Sequence, residues 1–125
     1  MDSNEEYGSR LWFIPDGEVP DPGKGSLYSH EAVVILNPNR VDTEVNFTFY
    51  FKDREPIRDI KMRLGAEKVM DIHINNTQEL PVKIEILKPY SLKIESSAGI
   101  IVQHSRLISI CDKFSLFTTI AYEET

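Results

Sequence analysis

Apolar and polar side chains alternate with a period of two along much of the chain from Thr43 onward. Val45, Phe47, Phe49 and Phe51 fall on one side and Glu44, Asn46, Thr48 and Tyr50 on the other, which predicts a half-buried strand. The pattern recurs where Ile60, Met62 and Leu64 alternate with Asp59, Lys61 and Arg63, and again where Met70, Ile72 and Ile74 alternate with Asp71 and His73. Two further strands are expected over Lys83 to Leu87 and Tyr90 to Glu95. Ala32 to Leu36 and Ile100 to Val102 are continuous apolar runs rich in β-branched residues, which predicts strands buried on both faces. The stretch from Phe114 to Tyr122, rich in Phe, Thr and Ile, predicts a last strand.

Turn formers separate these runs: Pro15-Asp16-Gly17, Pro20-Asp21-Pro22-Gly23, Asn37-Pro38-Asn39, Gly65, Asn75-Asn76, Pro89 and Gly99. Short strands at this spacing, with no helical period between them, predict an all-β fold: one antiparallel β-sandwich of about eight strands. A chain of 125 residues is one domain's worth of sequence. Residues 1–9 are expected to be a flexible amino-terminal segment and residues 10–125 the sandwich. Gly17 to Ser26, dense in Pro and Gly, is expected to be a surface loop.

Charge narrows the partners. Fourteen basic against twenty acidic residues give a net charge of -6, which disfavours nucleic acid as the main partner, because phosphate binding draws its affinity from clustered Lys and Arg. The single cysteine, Cys111, cannot form an internal disulfide and suits a reducing compartment. The start of the chain is polar and acidic, and no apolar run approaches the roughly 20 residues of a membrane span, so the expectation is a soluble, cytoplasmic protein.

Candidate chemistry is sparse. Gly23-Lys24-Gly25-Ser26 resembles a phosphate-binding loop only superficially, since its spacing is wrong and Gly25 stands where the hydroxyl is required. His30, His73, His104 and Glu31 include ligand types, but no His-x-His pair places two imidazoles on one strand face, so neither metal nor cofactor is expected. His104 and Ser105 are adjacent on a strand and point to opposite faces, which prevents a nucleophile and base pair. His104 and Arg106 share a face, and they supply fixed donors suited to a carboxylate, phosphate or sugar hydroxyl. An internal carboxylate or a loop carbonyl would satisfy Arg106 equally well. Lying at the end of a sandwich, Arg106 is expected to carry little of the fold's stability. Ser29-His30-Glu31 opens another apolar strand, with Glu31, Val33, Ile35 and Asn37 on one face. Trp12 offers either a flat stacking face for a sugar or a core side chain. Asp53 and Glu55 read as a solvated turn.

Five stretches, taken in order, resemble one family. They are Trp12-Phe13-Ile14-Pro15-Asp16-Gly17-Glu18-Val19-Pro20; Ser29-His30-Glu31 leading into Ile35-Leu36-Asn37; Tyr50-Phe51-Lys52-Asp53-Arg54-Glu55-Pro56; Gln103-His104-Ser105-Arg106-Leu107; and Thr119-Ile120-Ala121-Tyr122. Together they resemble the Anabaena sensory rhodopsin transducer family over nearly the whole chain. The sequence departs from the family pattern at Asp16, at Ser105, where Thr is common, and at Ile108, where an Asp usually follows the Arg-Leu pair and whose absence leaves Arg106 without that nearby acid.

The resemblance implies a small β-sandwich that assembles as a homotetramer and binds a small molecule, with carbohydrate-like ligands suggested. Its partner would be a receptor, as for the founding member, which docks on a membrane photoreceptor. The expected function is therefore a signalling or transducer-like binding module rather than an enzyme. Its expected ligand-binding residues are Trp12, Ser29, His30, Glu31, His104 and Arg106. The alternative is a sugar-active or metal-assisted enzyme using His30, Glu31 and His104.

Overall fold

One long strand carries most of the pairing. In the computed structural model, which describes residues 5–23, 27–111 and 113–125, the described residues form eight strands and no helix. They are β1 (Ser9–Glu18), β2 (His30–Asn37), β3 (Thr43–Phe51), β4 (Ile57–Leu64), β5 (Lys68–His73), β6 (Pro89–Ile110), β7 (Lys113–Ile120) and β8 (Tyr122–Glu124). The first half of β6 pairs with β1 and β3, and its second half pairs with β2 and β7, antiparallel throughout. Two layers result, β4-β3-β6-β1-β8 and β5-β2-β6-β7, which share β6 as a β-sandwich in a single domain. Gly99 lies where β6 passes from one layer to the other. A Cβ there would stand 1.9 Å from the Tyr7 carbonyl oxygen, so the close backbone approach requires glycine.

The inward faces meet as the alternation predicts. Val45, Phe47, Phe49, Leu92 and Ile94 come from the first layer, and Val33, Ile35, Ile72 and Val102 from the second, all buried in one cluster. Phe51 is partly buried against it. Pairing of β3 with β4 slips between Phe47 and Phe49, and Asp59 takes a positive φ of 61° in the resulting bulge.

Several segment-level expectations change. Ser9–Glu18 is a strand, and Pro15-Asp16-Gly17 is a bulge within it instead of a turn: pairing steps from Ile14↔Leu92 to Gly17↔Tyr90. Pro15 lacks an N–H to donate, and a bulge is where a sheet tolerates that. Lys83 to Leu87 contributes only an isolated bridge, Val19↔Ile86. The expected strands at Tyr90 and Ile100 are one strand, while the last predicted strand divides into β7 and β8 around the buried Ala121. Within Asn37-Pro38-Asn39 the turn chemistry holds: the Asn39 N–H donates to Asn37 Oδ1 at 3.0 Å and Asn37 Nδ2 donates to the Val41 carbonyl at 2.8 Å. Lys24-Gly25-Ser26 of the glycine-containing stretch, and that part of the expected surface loop, lie outside the described residues, as do residues 1–4.

The two apolar runs are not buried on both faces. Val33, Ile35, Ile100 and Val102 are fully buried, whereas Leu36 and Ile101 are exposed. The second layer packs against the first on one side and carries apolar residues on its bare side.

Candidate functional site

Glu31 lies at the end of the sandwich with no exposed surface. Alternation along β2 puts it on the inward face with Val33, Ile35 and Asn37, all fully buried. Across the ladder Glu31 stands opposite Arg106, and Val33 opposite His104, so both cationic-type side chains of β6 reach the carboxylate. His104 Nε2 donates to Oε1, and Arg106 Nη2 donates to the same oxygen at 3.1 Å. The other layer supplies two more donors. The Tyr90 hydroxyl donates to Oε2 at 2.8 Å, and the Glu18 backbone N–H is shared between the two oxygens at 3.1 and 3.3 Å. A buried carboxylate is costly unless its lone pairs are filled, and here four groups fill them.

The bulge in β1 builds half of this arrangement. It turns the Asp16 carbonyl toward Arg106, whose Nη2 donates to it at 3.3 Å, and it aims the Glu18 N–H at Glu31. Gly17 leaves room for the Tyr90 ring: a Cβ on it would fall 2.4 Å from that ring. Burial first, and then the negative charge of Glu31, push the Tyr90 hydroxyl well above its ordinary pKa, which keeps it a neutral donor.

Arg106 is therefore bound to an internal carboxylate and to a backbone carbonyl. It does not lack an acidic partner, and its place in a buried network means that it carries stability, contrary to the expectation from its strand-end position. Its side chain is 17% exposed, and its Nε is buried without a hydrogen-bond partner among the described residues. The Phe117 ring of β7 lies over the guanidinium at 5.2 Å and meets the His104 ring edge-on at 5.7 Å. Phe117 is 43% exposed, so it presents an aromatic face beside the arginine.

The structure thus brings together Glu31, His104 and Arg106 of the six sequence-predicted residues. Ser29 lies nearby in sequence, but its hydroxyl is engaged with Ser109, accepting from that N–H at 2.8 Å and donating to that carbonyl at 3.4 Å, which ties the start of β2 to the end of β6. His30 projects from the opposite face of β2, its ring edge-on to His73 at 4.9 Å, and His73 Nδ1 meets Glu79 at 3.1 Å. Trp12 is buried in the core, and its indole N–H donates to the Ser9 and Ile100 carbonyls at 2.9 and 3.1 Å. Arg106 lies six positions along β6 from Ile100, roughly 20 Å along a strand, so Trp12 offers no stacking face at this site.

Tyr90, Phe117 and the β1 bulge were not among the expected site residues. Tyr90 carried a signal, as a hydroxyl aromatic on the inward side of an alternating strand needs a buried acceptor. No sequence pattern could have shown that Pro15-Asp16-Gly17 bulges and does not turn.

A separate cleft of about 160 Å³ forms around the Tyr50-to-Pro56 motif, lined by Phe51, Lys52, Asp53, Arg54, Glu85, Lys88 and Pro89. Its charges pair with each other: Glu85 accepts from Lys88 at 2.9 Å and lies 3.5 Å from Arg54, which stacks on Phe51 at 3.9 Å. No group of three or more His, Cys, Asp or Glu side chains among the described residues is arranged to hold a metal ion. No helix among them is long and apolar enough to cross a membrane.

Fold and site together define a small antiparallel β-sandwich whose end is closed by a saturated buried carboxylate, with a half-buried arginine and an exposed phenylalanine above it. The chain belongs to the Anabaena sensory rhodopsin transducer family, whose family model matches residues 7–123. A solved structure of Thermotoga maritima 1070 is similar at 32% identity and a TM-score of 0.83, covering 94% of this chain and 96% of that one. The Anabaena sensory rhodopsin transducer itself is similar at 32% identity and a TM-score of 0.72, covering 84% of this chain and 93% of that one. No curated protein matches by sequence.

Proposed function

We propose that this protein is a cytoplasmic, transducer-like binding module that works without bond chemistry, taking a small oxygen-rich ligand at Arg106 and Phe117 and relaying its occupancy to a receptor-type partner through a homo-oligomer, a tetramer by family resemblance. The observation that carries this reading is the unpaired, buried Nε–H of Arg106 beside an exposed aromatic face. A buried donor without an acceptor costs about 1–3 kcal/mol, and a ligand hydroxyl or carboxylate oxygen entering beside Phe117 removes that cost. The guanidinium supplies directional donors and the ring a flat apolar surface, a combination that suits a sugar face or a small carboxylate.

Glu31, His104 and Tyr90 act behind the ligand. They fix the guanidinium, so little side-chain entropy remains to be lost on binding. The enzymatic alternative needs His30 together with Glu31 and His104, but His30 lies on the other face of β2. Ser29 is occupied by the backbone groups of Ser109, so its hydroxyl is not aimed at a base.

A thermal-shift panel of monosaccharides, disaccharides and small carboxylates tests the reading. A ligand at 100 times its Kd raises stability by about 2.7 kcal/mol, and Phe117→Ala should abolish the shift while the unliganded protein still unfolds cooperatively. If no compound shifts the midpoint, or if the shift is equal in Phe117→Ala, the site is wrong.

A further inference from the structure

The cleft between the turn after β3 and the segment entering β6 gathers more positive than negative charge, in a chain whose net charge is -6. One wall carries Lys52, Asp53 and Arg54 and the other Glu85 and Lys88, so three cations face two anions around about 160 Å³. The sheet holds both walls. Phe51 ends β3, pairs with Tyr90 and packs against the core, and Arg54 stacks on its ring at 3.9 Å. On the other wall Val19 bridges Ile86, and the Leu87 N–H donates to the Val19 carbonyl at 2.8 Å. Leu87 turns the chain there with a φ of 60°, a left-handed conformation uncommon for any residue but glycine.

Glu85 already acts as the anion of this cleft. Its carboxylate accepts from Lys88 at 2.9 Å and lies 3.5 Å from Arg54. The hydrogen bond and charge of Lys88 first, and then the charges of Arg54 and Lys83, hold its carboxyl below the usual range, which marks a positive field at that point. Arg54, Glu85 and Lys88 are 42, 48 and 62% exposed, so these pairings are water-screened and readily exchanged.

We infer that this cleft is a second binding site, separate from Arg106 and Phe117, for the phosphate group of a small monoester or of inorganic phosphate, and that the phosphate displaces the Glu85 carboxylate from between Arg54 and Lys88. A monocarboxylate from solution offers those two cations no more than Glu85 does, and Glu85 has the advantage of being tethered. A phosphate monoester carries about -1.5 to -2 charges and several strong acceptor oxygens. It can engage the Arg54 fork, Lys88 and Lys52 together. The fork is already stacked on Phe51, so little of its freedom is lost on binding. The cleft volume corresponds to roughly five waters at about 30 Å³ each, room for a phosphate and a few attached atoms.

Amide chemical shifts of the full chain at neutral pH test this, with sodium phosphate and methyl phosphate as probes and acetate at equal ionic strength as the comparison. Both phosphates should shift the amides of residues 52–54 and 85–88 saturably, and the tighter of the two identifies the free ion or the monoester as the form the cleft takes. Glu85→Gln removes the competing like charge and should bind roughly three-fold tighter or better. Arg54→Ala removes the charge-assisted fork and should bind about ten-fold more weakly. If neither phosphate shifts these amides in wild type or in Glu85→Gln, or if acetate binds as tightly as methyl phosphate, the cleft is not a phosphate site. An affinity that is unchanged or lowered in Glu85→Gln overturns the displacement. Shifts confined to the amides around Arg106 and Phe117 put the phosphate at the other site and overturn this one.

Discussion

The Tyr90 hydroxyl donates to Glu31 Oε2 at 2.8 Å, and this bond ties the two layers of the sandwich together: Tyr90 belongs to the half of β6 that pairs with β1 and β3, and Glu31 to β2 of the other layer. A hydrogen bond to a charged group contributes about 1.5–3 kcal/mol. Tyr90→Phe, which keeps the ring and removes the donor, should lower stability by about that much at neutral pH, read as a shift of the urea midpoint at unchanged slope.

The same bond has a pH signature. The folded-state pKa of Tyr90 is raised well above the ordinary value of about 10 by burial and by Glu31. Above that ordinary value the unfolded chain releases a proton that the folded protein retains, so stability falls as pH rises. The Tyr90 contribution is fully present below pH 10 and is lost above it at up to about 1.4 kcal/mol per pH unit. Unfolding curves from pH 9 to 11.5 should show a steeper alkaline loss in wild type than in Tyr90→Phe. Parallel curves would mean that Tyr90 ionises as an unburied tyrosine does.

Gly17 is predicted to be as sensitive as the residues that touch Glu31. A Cβ at position 17 would meet the Tyr90 ring at 2.4 Å, and that ring is buried against Phe49, which leaves it little room to retreat. Overpacking of this kind costs about 1–3 kcal/mol. Gly17→Ala should therefore destabilise, and combining it with Tyr90→Phe should cost less than the sum of the two, because either change alone displaces the same hydroxyl. Additive costs in the double variant would separate Gly17 from the Tyr90–Glu31 bond.

Much of this architecture was legible in the alternation. Phe47 and Phe49 are inward because every second residue of β3 is apolar, and Glu31 can be placed beside Val33 and Ile35 by the same counting. Phe49→Ala should cost about 3–5 kcal/mol, since the ring is fully buried, and unchanged thermal stability in that variant would refute the register of β3. What alternation cannot carry is a break in itself. Pro15-Asp16-Gly17 has the composition of a turn, and only pairing with β6 before and after it, through Ile14 and Gly17, makes it a bulge. Nor does a run such as Ala32 to Leu36 reveal whether its second face is covered by the same chain or by another. Trp12 was ambiguous for a related reason: a tryptophan near a strand end satisfies its N–H equally well from backbone or from ligand, and here the Ser9 and Ile100 carbonyls take it.

Arg106 separates a structural role from a binding role by charge retention. Arg106→Ala removes the guanidinium from a fully buried Glu31, with His104, Tyr90 and the Glu18 N–H still donating to the carboxylate, so the loss should be about 1.5–3 kcal/mol, smaller than that for an ion pair stripped of every partner. Arg106→Lys keeps the positive charge but supplies a single ammonium in place of the fork that spans Glu31 and the Asp16 carbonyl. Denaturant midpoints should rank wild type above Arg106→Lys and Arg106→Ala lowest. Binding should follow another order: neither variant retains the unpaired Nε–H, so both should lose response to any compound that shifts the wild-type midpoint. If Arg106→Lys recovers stability and also binds as wild type does, the ligand does not use the guanidinium, and the role of Arg106 is confined to holding Glu31.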